Sequence, residues 1–163
     1  MGEVYVRIDD RLIHGQIVTA WCTALAIKEI IAVDNEFAEN QMLQSLALMG
    51  VPVQYKPKII TFKQAKTILN EPSSGNRLVI VRYTCNLGNI RNEIRGCAHI
   101  NLGNCATREK AVHKISSGQG RFIFLTEEDV RILNDLEADG NNIICKVMPP
   151  DKGKNWSTMK NDL

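Results

Sequence analysis

An open α/β fold, with one mostly parallel sheet of about seven strands and helices on both faces, is predicted by two features of this sequence. Short β-branched runs alternate with stretches whose apolar residues recur at helical spacing. The segments between successive runs are long enough for crossovers, which parallel strands require. With 163 residues, 44% hydrophobic and 23% charged, the chain suits one globular core. A single domain over residues 1–163 is expected, with 148–163 as a C-terminal tail.

Val4, Val6 and Ile8 alternate as a half-buried strand, and the apolar period breaks at Asp9-Asp10. It resumes at helical spacing with Ile17, Val18, Trp21, Cys22 and Leu25. Glu29 to Val33 has the continuous apolar character of a central parallel strand, and Asp34 and Asn35 stand ready to cap the next segment. Met42, Leu43, Leu46 and Met49 form an apolar helical stripe that Gly50 ends. Val51 to Tyr55 reads as a strand whose Pro52 favours an edge. Thr61-Phe62-Lys63-Gln64 fits a capping box for a helix carrying Ala65, Ile68 and Leu69, which Pro72 to Gly75 break. Leu78 to Val81 is the most continuous strand signal, and Leu87, Ile90 and Ile94 follow on a short helix stopped by Gly96. Ala98 to Leu102 and Arg121 to Leu125 are further strands, separated by a loop that Ser116 to Gly120 lengthen. Thr126 to Asp129 caps a helix bearing Val130, Leu133 and Leu136, Asp139-Gly140 stops it, and Ile143 to Val147 closes the series.

A net charge of +2, with no interleaving of basic and aromatic residues, argues against nucleic acid as a partner. No apolar run approaches the roughly 18 residues of a membrane span, and Met1-Gly2-Glu3-Val4 leads directly into a strand, so a cytoplasmic protein is expected. Five cysteines, at 22, 85, 97, 105 and 145, lack Cys-x-x-Cys spacing and are expected to be buried thiols, with no metal site and no cofactor.

The chemistry concentrates in Arg7-Ile8-Asp9-Asp10-Arg11-Leu12-Ile13-His14-Gly15-Gln16, which carries the only histidine of the first ninety residues. His14 and Gly15 fall at or just before a helix N-terminus, where free backbone amides and aligned peptide dipoles favour an anion. Arg11 lies three residues before His14, near enough in a tight loop to point into the same space. A neutral imidazole is a good nucleophile toward phosphorus, so the combination points to phosphoryl chemistry with His14 and Arg11 as catalytic residues. Asp10 is placed to orient the ring. Ligands of such sheets bind beyond the carboxyl ends of the strands, where the loops from Asp9 to His14, Arg82 to Asn86 and Gly103 to Arg108 are expected to converge. Backbone amides around Ile13 and Gly15, with Thr84 and Asn86, are candidate phosphate donors; Thr84 and Asn86 are equally open to a helix-capping role. Tyr83 either lies over the imidazole or lines the core. Arg7, Arg82 and Arg108 suggest a basic rim toward an acidic partner.

The segment from Arg7 to Gln16 resembles the phosphorylation-site signature of the IIB subunits of the mannose/fructose/sorbose class of the bacterial phosphoenolpyruvate-dependent sugar phosphotransferase system. The resemblance implies an open α/β fold in which His14 accepts a phosphoryl group from a phosphohistidine on a IIA protein. It then passes that group to a sugar carried by the membrane IIC and IID subunits. In this class the loops after the fourth and fifth strands flank the phosphohistidine, so Thr84, Asn101, Gly103 and Asn104 inherit supporting roles by resemblance, although Asn101 is also open to a purely structural one. Arg108 matches a basic position of many relatives. Gly103-Asn104 leans toward N-acetylgalactosamine or a related amino sugar over mannose. A homo-oligomer is left open. Two other readings are a histidine-nucleophile phosphate hydrolase, whose usual arginine just before the histidine is here Ile13, and a nucleotide-binding regulatory module, which lacks a Gly-x-Gly-x-x-Gly or phosphate-loop lysine.

Overall fold

The computed structural model describes residues 2–163. Nine strands are β1 (Val4–Asp9), β2 (Ile27–Val33), β3 (Lys58–Ile60), β4 (Asn76–Val81), β5 (His99–Asn104), β6 (His113–Gly118), β7 (Arg121–Leu125), β8 (Ile143–Cys145) and β9 (Lys154–Asn155). Six α-helices are α1 (Gly15–Ala24), α2 (Asn35–Ala38), α3 (Gln41–Leu48), α4 (Phe62–Ile68), α5 (Glu127–Ala138) and α6 (Trp156–Met159). Seven strands form one open sheet in the order β3-β2-β4-β1-β5-β8-β9, parallel throughout except for the antiparallel β8–β9 pair. The α/β fold read from the sequence is the one observed.

Alternation along the central strands divides the core in two. Val6 and Ile8 of β1, Val79 and Val81 of β4, and Ile100 and Leu102 of β5 face a cluster that includes Leu87, Ile90, Leu133, Leu136 and Trp156. Leu78 and Ile80 of β4, with Ile30 and Ala32 of β2, face the opposite side, against Val18 and Cys22 of α1 and Ala47 of α3. Arg7 and Asp9 belong by parity to this second face, the face that α1 covers.

Three elements differ from expectation. The third strand lies at Lys58–Ile60, and Val53–Tyr55 is a turn of 3-10 helix instead of a strand. Pro52 has no amide for a ladder, and Lys56 closes the turn with φ of 49°. Arg121–Leu125 does not join the main sheet: it pairs antiparallel with His113–Gly118, the stretch expected to be a loop. Gly118, Gln119 and Gly120 all take positive φ, which makes a tight hairpin available where a crossover was expected. The stripe Met42, Leu46 and Met49 faces solvent. The helix boundaries follow the capping chemistry, with capping boxes at Thr61/Gln64 and Thr126/Asp129 and a side-chain cap from Asp34. Beyond β8, Lys154–Asn155 adds an edge strand, and Trp156 is fully buried with its indole N–H donating to Asn134.

Candidate active site

Strands β4, β1 and β5 are neighbours, so the loops at their carboxyl ends are brought side by side. Asp9, the last residue of β1, organises the first of them. Its Oδ1 accepts from the Arg11 amide and from Arg11 Nε, both at 3.0 Å; its Oδ2 accepts from Arg11 Nη2 at 3.0 Å and from Arg7 Nη2 at 3.4 Å. Its carbonyl accepts from the Leu12 amide at 2.8 Å. The side-chain bond to the amide two residues on is an Asx turn, and it reverses the chain within four residues. Leu12 completes the reversal at φ of 63°, a strained conformation for a leucine that is held because its side chain is fully buried. Ile13 is buried beside it, and His14 then stands as the N-cap of α1.

His14 makes no side-chain cap, and its Nδ1 is buried without a hydrogen-bond partner. The first helical bond of α1 is the Val18 amide to the His14 carbonyl at 2.9 Å. Among the described residues, the amides of Ile13, Gly15, Gln16 and Ile17 therefore donate to nothing in the chain, leaving the positive end of the helix dipole open. An open depression lined by His14, Gly15, Gln16, Thr19, Met49 and Gly50 begins at this point. The start of α1 lies against the turn after α3, where a Cβ on Gly15 would meet the Gly50 carbonyl at 3.6 Å, an ordinary contact distance.

Arg7 is corrected by the structure: it is fully buried and belongs to no partner surface. Its guanidinium lies beneath the loop, paired with Asp9 and 5.8 Å from the Trp21 ring, with Nε and Nη1 unpartnered. Burial pulls its pKa down from the ordinary arginine value, against the opposing pull of Asp9. Gly103 is what makes room for it, because a Cβ there would collide with the Arg7 guanidinium. Arg11 is exposed and bidentate on Asp9, and that hydrogen bonding raises its pKa. Asp10 does not reach His14; its carboxylate accepts from the Asn104 side-chain amide, its N–H donates to the Asn104 carbonyl at 3.0 Å, and its carbonyl accepts from Arg82 Nε at 3.2 Å. Asn101 is buried and accepts the Lys146 amide at 2.9 Å, a structural use.

The loop after β4 is tied to the start of α5 through Asp129. Arg108 Nη2 donates to both oxygens of buried Asp129, at 2.7 and 2.8 Å, while Asp129 also accepts the Cys85 amide at 2.9 Å. Tyr83 covers neither the imidazole nor the core as expected; Arg82 and Arg108 both lie over its ring, at 5.0 and 4.9 Å. Arg82 also pairs with Glu36 at 3.2 Å. Thr84 is buried with its hydroxyl unpartnered, and neither it nor Asn86 lines the depression or caps a helix by its side chain. The residues missed in the sequence are the acidic centres Asp9 and Asp129. The signal for Asp9 was its parity with Arg7 on one face of β1; Asp129 was hidden by its simpler role in a capping box. The thiols are pushed up by burial, Cys22 to about 12 and Cys97 and Cys145 to about 11, as expected of unreactive core cysteines.

The family description "PTS system sorbose subfamily IIB component" matches residues 3–162. The chain belongs to that family. This IIB component is 24% identical over 156 residues to the fructose-specific EIIB component of Bacillus subtilis, covering 96% of this chain and 94% of the relative. It is 25% identical over 160 residues to the sorbose-specific EIIB component of Klebsiella pneumoniae, with 95% and 93% covered. The fold superposes on the IIBSor domain of the sorbose permease from Klebsiella pneumoniae with a TM-score of 0.83 at 20% identity, covering 98% and 97% of the two chains. Among the described residues no helix is long and apolar enough to cross a membrane.

Proposed function

We propose that this IIB component carries a phosphoryl group on His14, taking it from a phosphohistidine on a IIA protein and delivering it to a sugar held by membrane IIC and IID subunits. The observation that carries the reading is His14 at an uncapped helix N-terminus on the rim of an open depression, in a chain of this family. In the first step the donor's P–N bond breaks and its electron pair returns to the donor imidazole. A His14 ring nitrogen supplies the pair for the new P–N bond, and one proton passes from the His14 ring to the donor. In the second, a sugar hydroxyl oxygen attacks phosphorus, the P–N bond to His14 breaks, and the hydroxyl proton ends on the freed imidazole. Both steps spread charge over three equatorial oxygens; in this reading the free amides at the start of α1, with that of Ile13 and the Asp9-held guanidinium of Arg11, receive it.

This reading assigns no step to Thr84, which is buried, or to Asn86; neither lines the depression. Asp10, Asn104 and Arg82 act by bracing the loop. Arg108 braces the neighbouring one through Asp129. The protein would work at the cytoplasmic face of the membrane, held there by its channel partners. The sugar is one of the mannose class, with N-acetylgalactosamine and related amino sugars first in line for testing. The test incubates the chain with phosphoenolpyruvate, the general phosphotransferase proteins and candidate mannose-class IIA proteins. Acid-labile phosphate is expected on His14, with transfer to sugar when membranes containing IIC and IID are added. Full labelling of His14→Gln would overturn the assignment.

A further inference from the structure

We infer that the exposed apolar strip formed by α3 and the turn after it is the docking surface for the phosphohistidine-bearing donor protein; this rests on the phosphocarrier reading above. From Asn40 to Tyr55 the chain carries no Asp, Glu, Lys, Arg or His, although 23% of all residues are charged. Within that run, Met42, Leu46, Met49 and Val53 are 73%, 59%, 71% and 88% exposed. They account for most of the exposed large hydrophobic side chains among the described residues. Met42 and Leu46 stand at i and i+4, so they share one face of α3 while Ala47 is buried on the other, and Met49 follows as the exposed C-cap of the helix. A contiguous apolar face of this kind, left uncovered on a folded chain, marks a surface that a partner covers.

The strip is continuous with the site. Met49 and Gly50 line the same depression as His14, so the apolar surface begins at the wall of the reacting group and runs outward along α3. Transfer between two imidazoles needs the reacting atoms about 3–3.5 Å apart and in line. Each imidazole is a short side chain fixed on a folded surface, so the two protein surfaces must touch around His14, and on one side the ground they meet is this strip. A polar sugar finds no hydrogen-bonding groups on it beyond a few Gln and Ser side chains. An anionic lipid surface would be met by basic residues, and the run has none. A donor whose phosphohistidine is ringed by apolar side chains fits it, and flexible methionines adapt to such a surface.

The test measures phosphoryl transfer from a IIA protein that labels wild-type His14, with donor concentration varied. Phosphoramidate, a small donor that needs no protein docking, labels the same histidine in parallel. Met42→Glu/Leu46→Glu and, separately, Val53→Asp, which lies outside the helix, are compared with wild type. The expected result is an apparent KM for phospho-IIA raised at least tenfold, with kcat within twofold and phosphoramidate labelling unchanged. An unaltered KM in both variants overturns the inference. So does a defect confined to sugar phosphorylation with IIC and IID membranes, which assigns the strip to the channel. Sedimentation showing wild-type dimers that the substitutions disperse, without a change in KM, assigns it to a second copy. If no IIA protein labels wild-type His14, the phosphocarrier reading itself fails and the docking inference falls with it.

Discussion

The loop from Asp9 to His14 and the run from Asn40 to Tyr55 border the same depression and are built in opposite ways. In the loop, the two carboxylates are tied inward: Asp9 holds two arginines and two backbone amides, and Asp10 is held by Asn104 and Arg82. The run has no charge and turns its longest apolar side chains to solvent. Phosphoryl transfer asks for both. Donors of hydrogen bonds act on a transition state only if they are already in place, whereas a surface that must bind and release a protein works by adaptable, non-directional contact. On the proposed phosphocarrier function, the fixed hydrogen bonds lie where charge would develop and the uncharged apolar surface where the donor would dock.

The contrast can be broken first at Asp9. Replacing it with Asn leaves two guanidiniums, one of them buried, without their counter-charge; urea unfolding should show a loss of about 3–5 kcal/mol. A variant as stable as wild type would mean that the loop is not organised by this carboxylate. Gly103→Ala strikes the same network from below by displacing Arg7, and overpacking of this kind should lower stability by about 1–3 kcal/mol in the same measurement.

A third experiment asks whether the ground beneath the loop accepts a second cation. His99 packs edge-on against Tyr5 and Trp21, the ring over which Arg7 lies. Burial, with Lys146 nearby, pushes its pKa down to about 4. The unfolded chain binds this proton near pH 6.5 and the folded chain only near pH 4, so stability falls as pH drops through that window. Because the ring is only partly buried, the loss is about 1–2 kcal/mol after screening, and His99→Gln should flatten that part of the stability curve. The smallest effect belongs to the other region. Met42→Gln or Leu46→Ser should leave the denaturation midpoint within about 0.5 kcal/mol of wild type, since neither side chain contributes to the core.

Much of this was legible along the chain. Capping residues at Asp34, Thr61 and Thr126 and apolar periods in β1, β2, β4 and α1 are local properties, and local hydrogen-bond chemistry places them correctly. The placement of His14 at a helix start is equally local, because the change of period from two to 3.6 occurs within a few residues of it. Misreadings arose where the same local pattern has two tertiary outcomes. Met42, Leu46 and Met49 have the spacing of a buried stripe, yet in the folded chain it is Ala47 of the same helix that meets the core and they stay outside. Arg121–Leu125 reads as a sheet strand, and only the tight hairpin at Gly118–Gly120 sends it to β6 instead.

Element type, the order of strands and helices, and the helix-terminal setting of one histidine all follow from neighbours in sequence, since backbone periodicity and capping act over a turn or two. Which charges meet is different in kind. That Arg7 lies under the loop and not on its rim, that Gly103 exists to admit it, and that Asp10 answers to Asn104 instead of the imidazole all depend on β5 lying beside β1. Burial converts an arginine from a surface charge into a structural one, and burial belongs to the packed sheet, not to any stretch of chain.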